Sequence, residues 1–286
     1  MNYILFDDKS WKNLLPLTFT RPVCEIRTGI LTIKEKWEKY LNQRVSYKTQ
    51  DYLSEKFPQS VNAENILING SVIPDEKLIE KINNLELNKA LVSDGKILAV
   101  RLNQDQVNNF SADDKERFLT ENYENDFVKI EWPWDIFRLN DATLKSDYEL
   151  ITRGRKSKEL SKTNQVLAKE HIFIEEGAKV EFATLNATNG PIYIGKDAEI
   201  MEGSVVRGPF ALCDHAVLKM LAKIYGPTTI GPHCKVGGEI NNSVFFGYSN
   251  KAHDGFLGNS VIGEWCNLGA DTNNYNLKNN YKNVKI

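Results

Sequence analysis

One histidine stands in the stretch of this sequence that is best suited to acid–base chemistry. The stretch covers residues 250–280 and reads NKAHDGFLGNSVIGEWCNLGADTNNYNLKNN, in which His253 is the one imidazole among many amides. An imidazole has an ordinary pKa of about 6.5 and accepts a proton near neutral pH, and a positioned acid–base group contributes about 10²–10⁴-fold in rate. Taken alone, however, a histidine in a loop is more often structural than catalytic.

Two arginines and two aspartates near the N-terminus favour phosphate and metal chemistry. Arg21 and Arg27 carry the planar guanidinium that binds a phosphate in a bidentate manner. The alternative is that both pair with nearby carboxylates such as Glu25. Asp7 and Asp8 carry the oxygen ligands that Mg²⁺ prefers, although two carboxylates after a strand also form an ordinary turn.

A repeat precedes the histidine and must position it. Aliphatic residues recur every six positions at Ile194, Ile200, Val206, Leu212, Leu218, Ile224, Ile230 and Val236. Small residues follow most of them by four positions, at Ala198, Ser204, Ala216, Ala222, Thr228 and Cys234, with Phe210 as the exception. A period of six predicts a parallel β-helix, in which each hexapeptide forms one flat side, the aliphatic side chain fills the interior and the small residue allows the corner.

The same register continues on both sides, with one gap in each direction. Ile174 and Val180 precede the first gap, and Ile262 and Leu268 follow the second. Each gap shifts the register by two residues, so we expect insertions that protrude from one face of the solenoid, commonly the binding face. The second gap contains His253, which would place the imidazole on such a protrusion.

Composition and charge limit the classes of function. The 286 residues suffice for two domains, and 41 % hydrophobic with 26 % charged residues is typical of a globular protein. A formal net charge of −2 offers no basic excess to meet nucleic acid or a membrane surface. We therefore expect a cytoplasmic protein with no signal peptide, no spanning helix and neither nucleic acid nor membrane as a partner.

The cysteines and histidines show no metal-ligand spacing. The four cysteines are Cys24, Cys213, Cys234 and Cys266, without a CxxC pair. This usage predicts reduced thiols, and the four histidines have no ligand spacing among themselves or with the cysteines. We expect no metal site formed by these residues.

The N-terminal half alternates short strands and helices, which predicts an α/β, Rossmann-like domain. Strands are predicted at 2–6, 44–49 and 65–69. One helix is predicted to begin at the capping box of Thr32 and Glu35, and another at Pro74-Asp75-Glu76. Asp94-Gly95 predicts the turn of a β-hairpin. A helical stretch ends near residue 151, and Arg153–Lys162 is polar and basic. The predicted domains are 1–155, a linker at 156–169 and a β-helix at 170–286.

Residues 170–286 resemble a known family. The shared positions are Lys251-Ala252-His253, Leu257-Gly258, Ile262-Gly263, Asn267–Ala270, Thr272 and Asn276. They resemble the acetyltransferase half of the bifunctional N-acetylglucosamine-1-phosphate uridyltransferase/glucosamine-1-phosphate acetyltransferase family, and more closely the Bacteroidetes and archaeal-type relatives. The resemblance implies a left-handed β-helix, a homotrimer, acetyl-CoA as co-substrate and an amino-sugar 1-phosphate as acceptor.

The resemblance also implies roles for individual residues. His253 would be the general base that removes a proton from the sugar amine as the amine attacks the thioester. Asn267 and Asn276 would hold the sugar and the acetylated nitrogen, with Lys251 and Phe256 beside them. Phe256 replaces the family's tyrosine, so its hydroxyl is missing.

Two further departures concern the phosphate and the C-terminus. The family's lysine and arginine for the sugar phosphate fall near Asn241 and Tyr225, which carry no positive charge. Either the phosphate is held by other cations, for which the candidates are Arg207, Lys219, Lys223 and Lys251, or the acceptor differs. Lysines on a solenoid are usually ordinary solvated side chains. The chain ends at Ile286, before the later coils that hold much of the family's coenzyme A pocket, so we expect a truncated or unusually short β-helix.

The N-terminal domain is similar to sugar nucleotidyltransferases over two short segments. LLPLTFTRP (Leu14–Pro22) matches their nucleotide loop, and NILINGSVIPD (Asn65–Asp75) matches the strand that delivers a metal-binding aspartate. The glycine-rich turn is absent, and Val23 and Ser71 replace the expected lysine and aspartate. We expect a degenerate domain in which Arg21 and Arg27 bind the nucleotide and Mg²⁺ takes part if transfer occurs.

Three functions remain open from the sequence. The first is acetyl transfer to an amino-sugar 1-phosphate in sugar-nucleotide biosynthesis, with His253 as base. The second is nucleotidyl transfer from UTP or dTTP to a sugar 1-phosphate by the N-terminal domain. The third is a non-catalytic trimer that binds sugar nucleotides.

Overall fold

The computed structural model describes residues 1–274, so the predicted site residue Asn276 lies outside the described part of the chain. Contacts divide the chain into two compact units. The N-terminal unit consists of Met1–Ile26 and Leu31–Pro133. The solenoid unit consists of Arg27–Ile30 and the chain from Trp134 onward. The units therefore divide at residue 133, whereas the predicted domain boundary is 155.

The N-terminal unit is built on a mixed six-stranded sheet. Its strands are β1 (Asn2–Phe6), β2 (Ser46–Lys48), β3 (Glu64–Asn69), β4 (Val72–Ile73), β5 (Lys89–Ser93), β6 (Lys96–Asn103), β7 (Leu119–Asn122) and β8 (Val128–Lys129). Its helices are α1 (Ser10–Asn13), α2 (Ile33–Leu41), α3 (Glu76–Asn83) and α4 (Gln104–Asn108). The sheet order is β2-β1-β3-β6-β5-β7, with β1 parallel to both neighbours, and β4 pairs with β8 separately. The predicted α/β domain is confirmed.

Local sequence signals determine where several of these elements begin. Thr32 and Glu35 form the reciprocal capping box that begins α2, and the Asp75 side chain caps α3 by accepting from the N–H of Leu78. Asp94 and Gly95 both have positive φ, 48° and 74°, which matches the turn type favoured between two antiparallel strands. These predictions from the sequence are confirmed.

The solenoid unit begins with two helices, α5 (Pro133–Arg138) and α6 (Asn140–Thr152). Its strands are β9 (Gln165–Leu167), β10 (Ile172–Ile174), β11 (Lys179–Val180), β12 (Thr184–Asn186), β13 (Ile192–Ile194), β14 (Glu199–Ile200), β15 (Val205–Arg207), β16 (Phe210–Leu212), β17 (Val217–Leu218), β18 (Lys223–Tyr225), β19 (Thr228–Ile230), β20 (Lys235–Val236), β21 (Glu239–Asn241), β22 (Val244–Gly247), β23 (Asn250–Lys251), β24 (Phe256–Gly258) and β25 (Val261–Glu264). They form three parallel sheets of six, five and six strands.

The predicted left-handed parallel β-helix is confirmed, and the hexad residues fill its interior. Val206 pairs with Ile224 and Leu212 with Ile230, each eighteen residues further along, which is three hexads per coil. All eight aliphatic residues of the uninterrupted series are buried in one core cluster. Stacking these coils buries an apolar surface that no single coil could bury alone.

The second predicted insertion does not protrude. Ile224 pairs with Ile240 and Val236 with Lys251, so the coils continue in register through residues 237–261. These coils shorten to sixteen and fifteen residues, which breaks the sixfold spacing without an insertion. The first gap does contain one: the connection between β12 and β13 is longer, and its residues Thr188 and Asn189 are exposed.

Two further observations bear on the sequence predictions. All four cysteines are free thiols, and all except Cys266 are buried. Among the described residues, no helix is both long and apolar enough to cross a membrane.

Candidate functional site

A cleft opens in the N-terminal unit where β1 and β3 end. These neighbouring parallel strands end at Phe6 and Asn69, and both residues line a cavity of about 320 Å³. The carboxyl edge of parallel strands is where open α/β sheets bind ligands. The charged lining consists of four lysines, Lys9, Lys96, Lys115 and Lys129, and three carboxylates, Asp8, Asp113 and Glu131.

Lys129 and Asp8 form the centre of this cleft. The Lys129 Nζ lies 2.8 Å from Asp8 Oδ2, and the two side chains are only 7 % and 13 % exposed. Asp8 Oδ2 also accepts from the Asn69 amide at 3.0 Å, while Oδ1 accepts from the Ser10 N–H at 2.9 Å. Burial alone would raise the pKa of Asp8, but Lys129 and these donors hold that pKa below its ordinary value.

The ion pair extends into a chain of alternating charges. Lys129 Nζ also donates to Glu131 Oε1 at 2.8 Å, and Lys96 donates to the same oxygen. These hydrogen bonds lower the pKa of Glu131. Lys9 pairs with Asp113 at 3.1 Å on the exposed rim. Lys115 makes no ion pair with any residue between 1 and 274, so its ammonium is available to an anion.

Asp7 points into different surroundings from Asp8. Its Oδ1 accepts from the Val23 N–H at 2.9 Å, and its Oδ2 accepts from the Thr49 hydroxyl at 2.6 Å. Burial raises the pKa of Asp7 to about 6 in spite of these two donors, and the neighbouring Asp8 charge adds to the shift. Asp7 lines a second cavity of about 340 Å³, which shares Asp8 and Lys9 with the first.

The two aspartates do not fit a magnesium ion. Mg²⁺ needs octahedral oxygen ligands, with carboxylates facing the metal. Each carboxylate oxygen of Asp7 and Asp8 already accepts a hydrogen bond, and an ammonium group stands 2.8 Å from Asp8. Between residues 1 and 274 no group of three or more His, Cys, Asp or Glu residues is arranged to hold a metal ion.

The two arginines predicted to bind nucleotide belong to different compact units. Arg21 is in the N-terminal unit and is buried, with Nη2 lying 3.5 Å from the Thr20 hydroxyl. Arg27 is buried in the solenoid unit, where it donates to the carbonyls of Phe246, at 3.2 Å, and Ile30. Neither arginine is among the described residues that line the two cavities.

In the solenoid unit, His253 is exposed on the corner loop between β23 and β24. Lys251, two residues earlier, takes the interior position that Val236 occupies one coil below, and it is 1 % exposed. Its Nζ donates to the carbonyls of His253 at 2.6 Å and Asp254 at 3.1 Å. Desolvation lowers the pKa of Lys251, partly offset by Asp254 and Asp271. The lysine therefore fixes the loop from inside rather than facing a ligand.

The next coil covers the histidine loop from one side. Asn267 is exposed and pairs with Asn250, just before Lys251. The Asn273 side chain accepts from the Phe256 N–H at 2.7 Å, and the Asp271 N–H donates to the Asp254 carbonyl. Within residues 1–274 the His253 ring makes no hydrogen bond, so both ring nitrogens remain available.

The three remaining cations lie on coils below this loop. Lys219, Gly237 and Ala252 occupy equivalent positions on three successive coils. Each directly follows a member of one paired series, in which Leu218 pairs with Val236 and Val236 pairs with Lys251. Lys223 pairs with Glu239, which pairs with Phe256. Coils are about 4.8 Å apart, so both lysines start about 10 Å from the loop. Arg207, on β15, is one coil further away and exposed.

Sequence reasoning missed the lysine cluster of the N-terminal cleft. Asp8, Lys96 and Lys129 are far apart in the chain, and only the pairing of strands brings them together. No spacing rule exists for such a cluster. The one available signal was Lys129 on a short strand, two residues before the acidic Glu131.

Comparison with known proteins defines the class. Residues 3–156 match the family described as sugar nucleotidyl transferase, which is more than half of the chain. The chain therefore belongs to the sugar nucleotidyl transferase family, a family of transferases, and the cleft lies wholly within the matched segment.

A second comparison agrees with the resemblance seen in the motifs. The bifunctional protein GlmU of Trichodesmium erythraeum is 30 % identical over 95 residues, which are 32 % of this chain and 19 % of that protein. The chain thus matches about a fifth of the length of this curated relative. The likeness to a GlmU-like protein, predicted from the sequence, is confirmed.

Proposed function

We propose that this protein transfers a nucleotidyl group from a nucleoside triphosphate, UTP or dTTP, to a sugar 1-phosphate in the cleft of the N-terminal unit. The observation that carries the proposal is the position of four lysines at the carboxyl edge of β1 and β3, inside the segment that matches the sugar nucleotidyl transferase family. Substrate phosphates are anions, and lysine is a common phosphate ligand.

The reaction is an in-line displacement at phosphorus. An oxygen of the sugar 1-phosphate attacks the α-phosphorus, the bond from this phosphorus to the bridging oxygen breaks, and pyrophosphate leaves with the electron pair. Negative charge spreads over the phosphate oxygens in the transition state, so the residues contribute by positioning and charge stabilisation. Lys115 and Lys96 neutralise that charge, and Lys129 keeps the Asp8 carboxylate from repelling it.

Pyrophosphate release from UTP or dTTP with glucose 1-phosphate tests this proposal. Lys115→Met removes a cation that has no carboxylate partner in the described chain and should lower kcat/KM by about 10–100-fold, the value of a charged hydrogen bond. Lys77→Met, on the exposed face of α3, is the matched control and should leave the rate unchanged. Equal rates for wild type and Lys115→Met would contradict the proposal.

A second function is supported by the solenoid unit. Acetyl transfer from acetyl-CoA to an amino-sugar 1-phosphate would use His253 as base, Asn267 and Asn276 as orienting amides and backbone N–H groups for the oxyanion. The exposed imidazole on a loop fixed by a buried lysine supports this function. Lys219 and Lys223 lie closest for the sugar phosphate, and a homotrimer is part of this proposal.

Release of free thiol from acetyl-CoA with glucosamine 1-phosphate tests the second function. His253→Ala should lower the rate by about 10²–10⁴-fold, and His171→Ala, another exposed histidine, should not. If neither activity is found but UDP-sugars bind in a calorimeter, the protein is a non-catalytic sugar-nucleotide binder.

A further inference from the structure

The ammonium group of Lys129 has its full set of hydrogen-bond partners inside the cleft. Its Nζ contacts Asp8 Oδ2 at 2.8 Å, Glu131 Oε1 at 2.8 Å and the Ser10 hydroxyl at 3.0 Å. An ammonium has three N–H donors, so all of them are used. A lysine that is 7 % exposed between two carboxylates is a fixed internal charge rather than a mobile surface one.

This ammonium occupies the position that a divalent cation would need. Asp8 follows β1 at the carboxyl edge of the sheet, and its Oδ2 lies 2.8 Å from the Lys129 ammonium. A cation at Asp8 would meet the positive charge of Lys129 within a few ångströms. The side-chain amide of Asn69 donates one hydrogen bond to Asp8 Oδ2 and another to the carbonyl of Ile97.

We propose that Lys129 is the resident cation of this cleft in place of a divalent metal, and that the cleft binds phosphate groups through lysines without Mg²⁺. The identification of the ligand as a nucleotide or sugar phosphate depends on the proposed function; the replacement of the metal does not. The ion pairs of the cleft contain two carboxylates and two ammonium groups, so their net charge is zero. These groups belong to Asp8, Lys129, Glu131 and Lys96.

The remaining cations of the cleft are placed to receive the anion. Lys115 has no ion-pair partner in residues 1–274, and Lys9 pairs with Asp113 only at the exposed rim, where an entering phosphate can replace the carboxylate. Lys96 shares Glu131 with Lys129, so it can turn towards a phosphate while Glu131 stays neutralised.

Two binding measurements on the full chain test the proposal. The first is an electron paramagnetic resonance titration with Mn²⁺ alone. Wild type should leave Mn²⁺ free in solution. Lys129→Met leaves the Asp8 carboxylate without its cation and Glu131 with Lys96 alone, so this variant should acquire one Mn²⁺ site. Addition of Asp8→Asn to that variant should remove the new site. A stoichiometric Mn²⁺ site in wild type that Asp8→Asn abolishes would overturn the proposal.

The second measurement is calorimetry with inorganic pyrophosphate in the presence of EDTA. Wild type should bind, and Lys115→Met should weaken binding by about 10–100-fold. Binding that requires added Mg²⁺ would overturn the proposal. If Lys129→Met does not fold, the Mn²⁺ titration of wild type and of Asp8→Asn still decides the question, because a stoichiometric site in wild type overturns the proposal. Neither measurement involves turnover, so failure of nucleotidyl transfer alone would affect only the proposed function.

Discussion

Asp7 and Asp8 are neighbours whose environments shift their pKa values in opposite directions. Asp8 faces an ammonium and stays ionised, while Asp7 is buried with two neutral donors and has a pKa of about 6. Adjacent carboxylates alternate across a strand end, so each meets a different side of the sheet. The consequence is that Asp8 has a permanent charge at neutral pH, whereas Asp7 gains its charge at a cost to folding.

Asp7→Asn should therefore change how stability depends on pH. A carboxyl whose pKa is raised in the folded state contributes stability that is fully present below about pH 4 and is lost as pH rises through about 6. Asparagine keeps an acceptor for the Val23 N–H, and its NH2 group can donate to the Thr49 hydroxyl, which accepts as well as donates. Because the buried charge is removed, above pH 6 the variant should be more stable than wild type by at most about 3 kcal/mol. Urea unfolding at several pH values measures the difference.

The control for this prediction is Asp126→Asn, which removes an exposed carboxylate from the same unit. Its stability relative to wild type should not vary across the same pH range. If the stability of Asp7→Asn relative to wild type is equally independent of pH, the buried Asp7 carboxyl does not have a raised pKa in the folded protein.

Lys251 shows how a polar residue can serve inside a solenoid. It replaces an aliphatic residue in the interior and satisfies two carbonyls of the histidine loop. Lys251→Met should cost at most about 1–2 kcal/mol of stability, because the lost hydrogen bonds are offset by removing a desolvated charge. The amides of residues 253–255 should nevertheless exchange faster with deuterium. Lys235→Met, exposed one coil below, should leave their exchange unchanged.

At the scale of elements, one corner of the solenoid carries a column of stacked rings. His215, His233, Tyr248 and Trp265 succeed each other with centroids 4.7, 4.9 and 4.7 Å apart and planes within 16° of parallel. All four adopt positive φ at the corner. Coil spacing in a solenoid is close to the stacking distance of aromatic rings, so equivalent positions form a column without further adjustment.

Tyr248→Leu should show what this column contributes. Leucine keeps an apolar side chain at the corner but removes two stacked contacts, which together contribute about 1–2 kcal/mol. The loss should appear in the urea unfolding of the solenoid unit, followed by circular dichroism. Leu221→Ala, at a corner with the same positive φ and 71 % exposed, should change stability by less than about 0.5 kcal/mol. Equal effects of the two variants would show that the stack contributes nothing.

The coils also show which sequence patterns are sufficient for prediction. Each flat side of a coil needs one inward aliphatic residue, so eight regular hexads were enough to predict the β-helix. The pattern failed at residues 237–261, because the coils there shorten and an interior position is taken by Lys251. An irregular coil and an insertion look alike in a spacing pattern, and only the strand pairing distinguishes them.

At the scale of the whole molecule, residues Arg27–Ile30 join the solenoid unit although they precede most of the N-terminal unit in sequence. The Gly29 N–H donates to Asn140 Oδ1 at 2.7 Å, and the Ile30 N–H donates to Asp147 Oδ2 at 2.8 Å. The sequence analysis placed Arg27 in a nucleotide site because its guanidinium can bind a phosphate in a bidentate manner, whereas Arg27 belongs to the solenoid unit. A contact between residues so far apart in the sequence leaves no pattern among neighbouring residues from which it could be predicted.

Gly29→Ala should test how tightly this segment is held. Its φ is +77°, and a Cβ would lie 2.5 Å from Asp147 Oδ2 and 2.8 Å from the Thr143 backbone, so we expect a loss of about 3 kcal/mol or more. Gly154→Ala is the matched control, because φ is +72° there and a Cβ would have nothing within 4 Å. That change should cost only the backbone strain of about 1–2 kcal/mol. Thermal unfolding of both variants measures the difference, and equal losses would contradict close packing at Gly29.

A crystal structure of the full chain soaked with UTP in the presence of EDTA would show whether the lysines of the N-terminal cleft bind phosphate groups without a metal ion. We expect phosphate oxygens about 2.7–2.9 Å from the ammonium groups of Lys96 and Lys115, with Lys129 still paired to Asp8. Nucleotide bound elsewhere in the chain with this cleft empty, or a cleft in which Lys129 has left Asp8 to a metal ion, would contradict it.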